Sequence, residues 1–348
     1  MSRITINNLS KKFDKKEVLK NLNLEVKAEE MVALLGPSGC GKTTTLKLIS
    51  GLLAADKGDI KFDGKSVIDL PTEKRGAVLV FQENLLFPHL NIEENIAFGL
   101  KMAGVEKNIR KKRVKELLQL VNLPGYQKRF PNELSGGQQQ RIALARALAI
   151  NPKVLLLDEP ISNLDANLRE EMRELIRKIH EEENMTTIFV THDREEALLI
   201  ADRIAVMKAG NLEQLGTPEE LYRSPVNKYV ANFFGQANYI RGCKLGDEFY
   251  PDCHHSGLRD DEQAEEKLVM IRPEFLHLSK EESPDSDLMV LKAKIIKRSY
   301  AGERIYYKAE TEKLHTILRV IDYNLSNYQA GEEVFLHIPL AKAAYLEE

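Results

Sequence analysis

Long apolar runs are missing from this chain of 348 residues. A helix needs roughly 18 or more consecutive apolar residues to cross a bilayer, and here the runs are short pieces such as Met31 to Leu35 and Val154 to Leu157. The chain therefore reads as one that does not span a membrane. Cysteine is also scarce. Cys40, Cys243 and Cys253 form no even framework, which excludes a disulfide-stapled scaffold. The start, Met1-Ser2-Arg3-Ile4-Thr5, has neither the apolar core nor the small-residue cleavage site of a secretory signal. Together these absences predict a reduced, cytoplasmic protein. The net charge of only −3 gives no hint of a polyanion partner. What is present is an ordinary globular balance, 43% hydrophobic and 30% charged, in a chain long enough for two or more domains.

Composition shifts along the chain. Residues 237–348 carry 15 Lys+Arg against 21 Asp+Glu, net −6, whereas residues 1–236 carry 35 against 32, net +3. Eight of the eleven tyrosines follow Phe234. The tail alternates apolar and polar residues, as in Ile305-Tyr306-Tyr307-Lys308 and Val334-Phe335-Leu336-His337-Ile338, between Gly and acidic turns. Such alternation with tyrosine and β-branched residues suits half-buried strands. The reading is an α/β domain over 1–236 followed by an all-β domain over 237–348.

Met31-Val32-Ala33-Leu34-Leu35 is a short continuous apolar run, the pattern of a buried parallel strand. It feeds directly into Gly36-Pro37-Ser38-Gly39-Cys40-Gly41-Lys42-Thr43-Thr44, which matches G-x-x-x-x-G-K-[ST]. The glycines let backbone N–H groups curl around a β-phosphate, and the following helix, Thr43 to Ile49, points its positive end at it. Lys42 reaches the outer phosphates and Thr43 offers a hydroxyl to Mg²⁺. Cys40 within the loop reads as a packing residue.

A second buried-strand pattern, Val154 to Leu157, ends in Asp158-Glu159-Pro160. In open α/β sheets ligands gather at the carboxyl edge of the strands, so Asp158 is placed to hold Mg²⁺ through water and Glu159 to take a proton from an attacking water. A third run, Ile188-Phe189-Val190-Thr191, ends in His192. A lone histidine is more often structural, but this one falls on the same edge and reads as a γ-phosphate contact. Between the first two motifs lies Leu134-Ser135-Gly136-Gly137-Gln138-Gln139-Gln140-Arg141, followed by an alanine-rich helix to about Ile150. Ser135 is a good N-cap, and the two glycines expose the helix's first amides, a second anion-binding site. One P-loop needs only one cradle, so the second site is read as serving the nucleotide of another copy.

These residues resemble a family, the nucleotide-binding subunits of ABC transporters, whose signature is Leu134-Ser135-Gly136-Gly137-Gln138. The resemblance runs over residues 1 to about 236. It implies a P-loop NTPase of mixed sheet with a helical subdomain at about 84–150, and ATP as substrate. It also implies that Phe13 stacks on adenine, that Gln82 touches Mg²⁺ and the water, that Asp165 in Ser162-Asn163-Leu164-Asp165 crosses a dimer interface, and that His192 is the switch histidine. Two copies would clamp two ATP molecules head to tail, each loop with Lys42 facing Ser135, Gly136, Gly137 and Gln138 of the other copy.

The stretch Glu83 to Gly99, with Leu85, Leu86, Phe87, Pro88, His89 and Leu90, reads as helical and apolar enough to dock a separate permease. Lys107 to Lys115 holds six basic residues in nine, either a solvated helix face or a lipid-headgroup contact. The segments Gly216 to Tyr222, Phe233 to Asn238 and Ile271-Arg272-Pro273-Glu274 resemble the hinge and pieces of the oligonucleotide-fold-like (OB-like) accessory domain of importer ATPases. The acidity of the tail argues against nucleic acid, and its Cys243, Cys253, His254 and His255 fit no zinc-ligand spacing and read as loop residues. The resemblance thus implies an ATP-hydrolysing homodimer on the cytoplasmic face of the membrane, peripheral, served by a permease and indirectly by a solute-binding protein. The wording from Ser162 to Arg169 and from Phe234 to Asn238 resembles ferric-iron importers most. Polyamine or sugar import is the alternative, and a soluble ABC ATPase is disfavoured because no coiled-coil insertion or second cassette is visible.

Overall fold

A computed structural model describes residues 2–83, 86–162, 164–245, 248–251, 265–283 and 288–346. Leu85, Asn163, Cys253, His254 and His255 lie outside them. The chain divides into two compact units, Met1–Pro218 and Glu219–Glu348.

The first unit holds two sheets. An antiparallel sheet has the order β2-β1-β4-β5, formed by β1 (Ile4–Phe13), β2 (Lys16–Val26), β4 (Lys57–Phe62) and β5 (Lys65–Ser66). The larger sheet has the order β10-β9-β3-β8-β7-β6, with β3 (Met31–Leu35), β6 (Ala77–Val80), β7 (Val154–Asp158), β8 (Thr186–Thr191) and β9 (Arg203–Lys208) parallel, and β10 (Asn211–Gly216) antiparallel at the edge. Every residue of β3, β7 and β8 is buried. That is why Met31–Leu35, Val154–Leu157 and Ile188–Val190 within them are continuous apolar runs rather than alternating ones. Helix α1 (Lys42–Ser50) shares one core with both sheets, where Leu46 and Ile49 meet Ile6 and Leu22 on one side and Leu34 and Leu156 on the other. Short α2 (Thr72–Arg75) precedes β6, while α6 (Ala166–Glu183) and α7 (Arg194–Ile200) flank β8.

Helices α3 (Ile92–Met102), α4 (Lys107–Leu120) and α5 (Gly136–Ala149) pack on one another as the helical subdomain. The expected helix over Glu83 to Gly99 is corrected, because α3 starts only at Ile92. Asn91 caps it reciprocally with Glu94. From within α3, the fully buried Asn95 accepts from the Phe87 N–H and donates to the carbonyls of Phe87 and Leu90, so these backbone groups are satisfied without a helix.

The second unit opens with α8 (Pro218–Arg223) and α9 (Lys228–Phe234). Two antiparallel sheets follow. One has the order β12-β11-β13-β19, from β11 (Asn238–Leu245), β12 (Glu248–Pro251), β13 (Glu265–Ile271) and β19 (Ala344–Leu346). The other has the order β14-β18-β15-β16-β17, from β14 (His277–Ser279), β15 (Leu288–Tyr300), β16 (Ile305–Thr311), β17 (Ile317–Asp322) and β18 (Glu333–Pro339). Ile305, Tyr307 and Ala309 of β16 and Val334, Leu336 and Ile338 of β18 point into one core, the alternation their sequence announces. The unit begins at residue 219 rather than 237 because Arg272 draws both helices to the strands. Its guanidinium is 1% exposed and donates to the carbonyls of Tyr222, Ala231 and Gln236. Cys243 lies within β11, not in a loop, and is disulfide-bonded, against the expectation of a fully reduced chain.

Candidate active site

Strands β3, β8, β7 and β6 are successive neighbours and run parallel, so their carboxyl ends form one edge. Each ends in a motif read from sequence: the loop Gly36 to Thr44, His192, Asp158-Glu159 and Gln82.

The loop tolerates only glycine at two close approaches. A Cβ on Gly36 would lie 2.4 Å from the Met207 carbonyl oxygen, and one on Gly41, at φ 108°, 2.5 Å from Leu19 Cδ2. Cys40 is 2% exposed, and burial pushes its thiol up, so it stays a protonated packing group. Lys42, 7% exposed, donates from Nζ to the Gly36 and Pro37 carbonyls at 2.7 and 3.0 Å, which folds the cation back over its own loop. Thr43 Oγ1 donates to Asp158 Oδ1 at 2.9 Å, tying the start of α1 to the end of β7. Burial raises the Asp158 carboxyl above the usual range, opposed by the Thr43 hydrogen bond. A hydroxyl and a carboxylate at this separation are the hard oxygen donors that Mg²⁺ takes when substrate phosphates and water complete its shell, so the residues fit that ion.

Glu159 stands at the centre of the edge. Its carboxylate Oε2 lies 3.2 Å from Gln82 Nε2 and 3.3 Å from His192 Nδ1, so side chains from the ends of β6, β7 and β8 meet at one oxygen. Gln82 Nε2 also reaches Ser162 Oγ at 3.3 Å. The Glu159 backbone is left-handed, φ 48°, and its N–H donates to the Val190 carbonyl on β8. Sequence reasoning assigned no role to Ser162, and nothing in its neighbourhood of the sequence singles out one serine for this contact.

The other sequence candidates fall on separate features. Ser135 caps α5, accepting from Gln138 N–H while Gln138 accepts from the Ser135 N–H. Gly136 is exposed with open space around it. Gly137 is buried, with Leu164 and Leu168 at 3.6 Å from where a Cβ would stand. The exposed Asp165 caps α6 by accepting from Leu168 N–H at 3.0 Å. Phe13 ends β1, 45% exposed, with the Lys11 ammonium 5.6 Å over its ring.

The sequence matches the ABC transporter family over residues 19–162 and the TOBE domain family over 269–346. It is 41% identical to the spermidine/putrescine import ATP-binding protein PotA of Clostridioides difficile (strain 630), over 96% of this chain and 95% of that one. The chain belongs to the ABC importer ATPases. Another relative of this ABC importer ATPase is the Fe(3+) ions import ATP-binding protein FbpC of Vibrio cholerae serotype O1, 43% identical over 83% of this chain and 84% of that one. Among solved structures, the post-hydrolysis dimer of the ATP-binding cassette MJ0796 bound to ADP and Pi is similar at TM-score 0.56 and 34% identity, covering 62% of this chain and 98% of that one. The expected fold, an ABC ATPase followed by an OB-like β domain, is borne out, and so is the enzyme class, ATP hydrolysis.

Proposed function

We propose that this ABC importer ATPase powers the uptake of polyamines. The observation carrying that reading is that relatives named for spermidine/putrescine import align over 96% of the chain at 41% and 42% identity, above the 39% of a Fusobacterium nucleatum Fe(3+) ions import ATP-binding protein over the same share. Ferric iron is the second reading. It is supported by 48% identity to the Escherichia coli O157:H7 Fe(3+) ions import ATP-binding protein, a likeness over 235 residues. The test is ATP turnover by the chain reconstituted with its permease and binding protein in vesicles. Stimulation by spermidine-loaded but not Fe(III)-loaded binding protein supports the first reading, and the reverse result replaces it with the second.

The edge described above supports the following division of labour. Lys42 and the loop amides hold the outer phosphates of ATP, and Phe13 offers its exposed ring to the adenine. Thr43, Asp158 and Gln82 are the residues that would hold Mg²⁺, which when bound neutralises charge on the phosphate oxygens. Glu159 orients the attacking water and accepts its proton. Gln82 and His192, both in contact with the Glu159 carboxylate, position that base, and His192 contacts the γ-phosphate of the bound nucleotide in this proposal. Catalysis is then positioning plus electrostatic stabilisation of the transferred phosphoryl group.

The same proposal gives Ser135, Gly136, Gly137 and Gln138 to the nucleotide of a second copy, with Asp165 near the crossing, as in a homodimer. Support comes from the exposure of Ser135 and Gly136 at a helix start and from the dimeric state of the MJ0796 cassette. Among the described residues no helix is long and apolar enough to cross a membrane. Transport therefore calls for a separate permease, with this chain peripheral to the cytoplasmic face. A cavity of about 250 Å³ between β6, α3 and α5, lined by Val78, Val80, Phe87, Phe98 and Ile150 among others, is a suitable seat for it.

A further inference from the structure

His192 follows β8 with no secondary structure of its own, yet its Nδ1 must sit beside Glu159 for the site to work. The residues on either side of it are tied down by a hydrogen-bond chain. Thr191 Oγ1 accepts from the Asp193 N–H at 2.9 Å and donates to Glu196 Oε2 at 2.6 Å. A hydroxyl has one proton, so donating it to Glu196 fixes the rotor and leaves the lone pairs facing Asp193. Thr191 and Glu196 are 2% and 3% exposed. A carboxylate so buried is costly unless it is hydrogen-bonded, as this one is by Thr191. Helix α7 carries Glu196 one turn after Asp193, whose own carboxylate caps the helix at Glu195 N–H, so helix start and strand end are locked as one piece.

We propose that Glu196 is a positioning residue for ATP hydrolysis: through Thr191 it clamps the backbone on both sides of His192 and so holds the imidazole against Glu159. The proposal rests on the reading of His192 as a γ-phosphate contact. Burial pushes the Glu196 carboxyl up, the Thr191 hydrogen bond pulls it back down, the Asp193 charge pushes it up, and the Arg169 and His192 charges pull it down. Arg169 belongs to α6 and donates to the Leu164 carbonyl, so the charge facing Glu196 comes from the residue that also ties down the loop before Asp165. Sequence reading passed over Glu196 because an acid in the first turn of a helix is ordinary.

The test is steady-state ATP turnover by the full chain, with equilibrium nucleotide binding and thermal melting measured alongside. Glu196→Ala should lower kcat by about tenfold to a hundredfold, the scale of a small misplacement of a reacting group, with KM for ATP within about twofold. Glu196→Gln, whose amide oxygen still accepts from Thr191, should restore kcat to within about threefold, and Thr191→Val should behave like Glu196→Ala while Thr191→Ser does not. Because Glu196 acts through His192, the double variant with His192→Ala should be no slower than His192→Ala alone. Wild-type kcat in Glu196→Ala beside an inactive His192→Ala overturns the clamp alone. So do losses that multiply in the double variant, or a Gln variant as slow and as unstable as the Ala variant. Full turnover in His192→Ala overturns the underlying reading of the site.

Discussion

Glu159 is held in a conformation that an L-residue avoids, φ 48°, at a cost on the order of 1 kcal/mol. The surroundings that over-determine it are its N–H bond to Val190 and the contacts of its carboxylate with Gln82 and His192. Replacing it with glutamine keeps the shape and removes the base. Glu159→Gln should cut turnover by about a hundredfold or more while ATP still binds and accumulates a dimer, which size-exclusion chromatography with and without ATP will read. Unimpaired hydrolysis would remove Glu159 from the role of base. Asp158 makes a complementary case. Its carboxyl is raised by burial, so ionising it costs more in the folded chain than in the unfolded one. That penalty is absent below the ordinary carboxylate pKa, grows as pH rises from there to the raised value, and is constant above it. At neutral pH Asp158→Asn should therefore melt higher than the parent, keep the Thr43 hydrogen bond through its amide oxygen, and lose Mg²⁺-dependent turnover. A variant that melts lower throughout would contradict the burial argument.

Among the elements, α5 joins two jobs at one start. Ser135 caps the helix and, in the proposed dimer, faces the other copy's phosphates. Ser135→Arg should lose the cap, about 1 kcal/mol, and place a bulky cation where the partner's nucleotide would lie. Nucleotide titration of the dilute chain should remain unchanged while hydrolysis falls to background; lost binding in the monomer would mean that the site lies within one chain. The elements that carry the phosphate chemistry were legible because burial on both faces forces continuous apolar runs, and β3, β7 and β8 end where those runs end. The stretch before α3 was not legible. Leu86, Phe87 and Leu90 are as apolar as a helix face, and that pattern masks both Pro88, which disfavours helix at Phe87, and the Asn95 side chain eight residues on, which takes the place of helical bonds there. The burial of Gly137 was likewise not readable, because it comes from Leu164 and Leu168 on the way into α6. The convergence of Gln82 with Glu159 could be anticipated from the strand order, whereas the Ser162 and Glu196 contacts depend on side-chain directions that no periodicity encodes.

Across the molecule, the composition break near residue 236 and the structural boundary at Pro218 differ because one buried arginine decides the latter. Arg272 stacks 4.2 Å over the Tyr222 ring, while the Tyr222 hydroxyl bonds Glu274. Burial and the Glu274 contact push the Tyr222 phenol up to about 12, so this hydroxyl remains a donor throughout the physiological range. Removing the guanidinium leaves the buried Ala231 carbonyl, and the partly buried bonds to the Tyr222 and Gln236 carbonyls, without their donor. At roughly 1 to 3 kcal/mol for the buried orphaned group and less for the partly buried ones, with the lost packing on the Tyr222 ring added, Arg272→Met should cost the second unit about 3 kcal/mol. The loss belongs to α8 and α9, which contribute little core of their own beyond Leu221, Val230, Ala231 and Phe234. Hydrogen exchange reads it locally. The amides of Ser224 and Ala231, bonded to the Glu220 and Asn227 carbonyls, should exchange roughly a hundredfold faster in the variant, since about 1.4 kcal/mol is a factor of ten. Amides in β16 and β18, held by their own ladders, should change far less. Uniform loss of protection over the whole β domain would instead make Arg272 part of the core of that domain rather than the tie between its strands and the two helices that precede them.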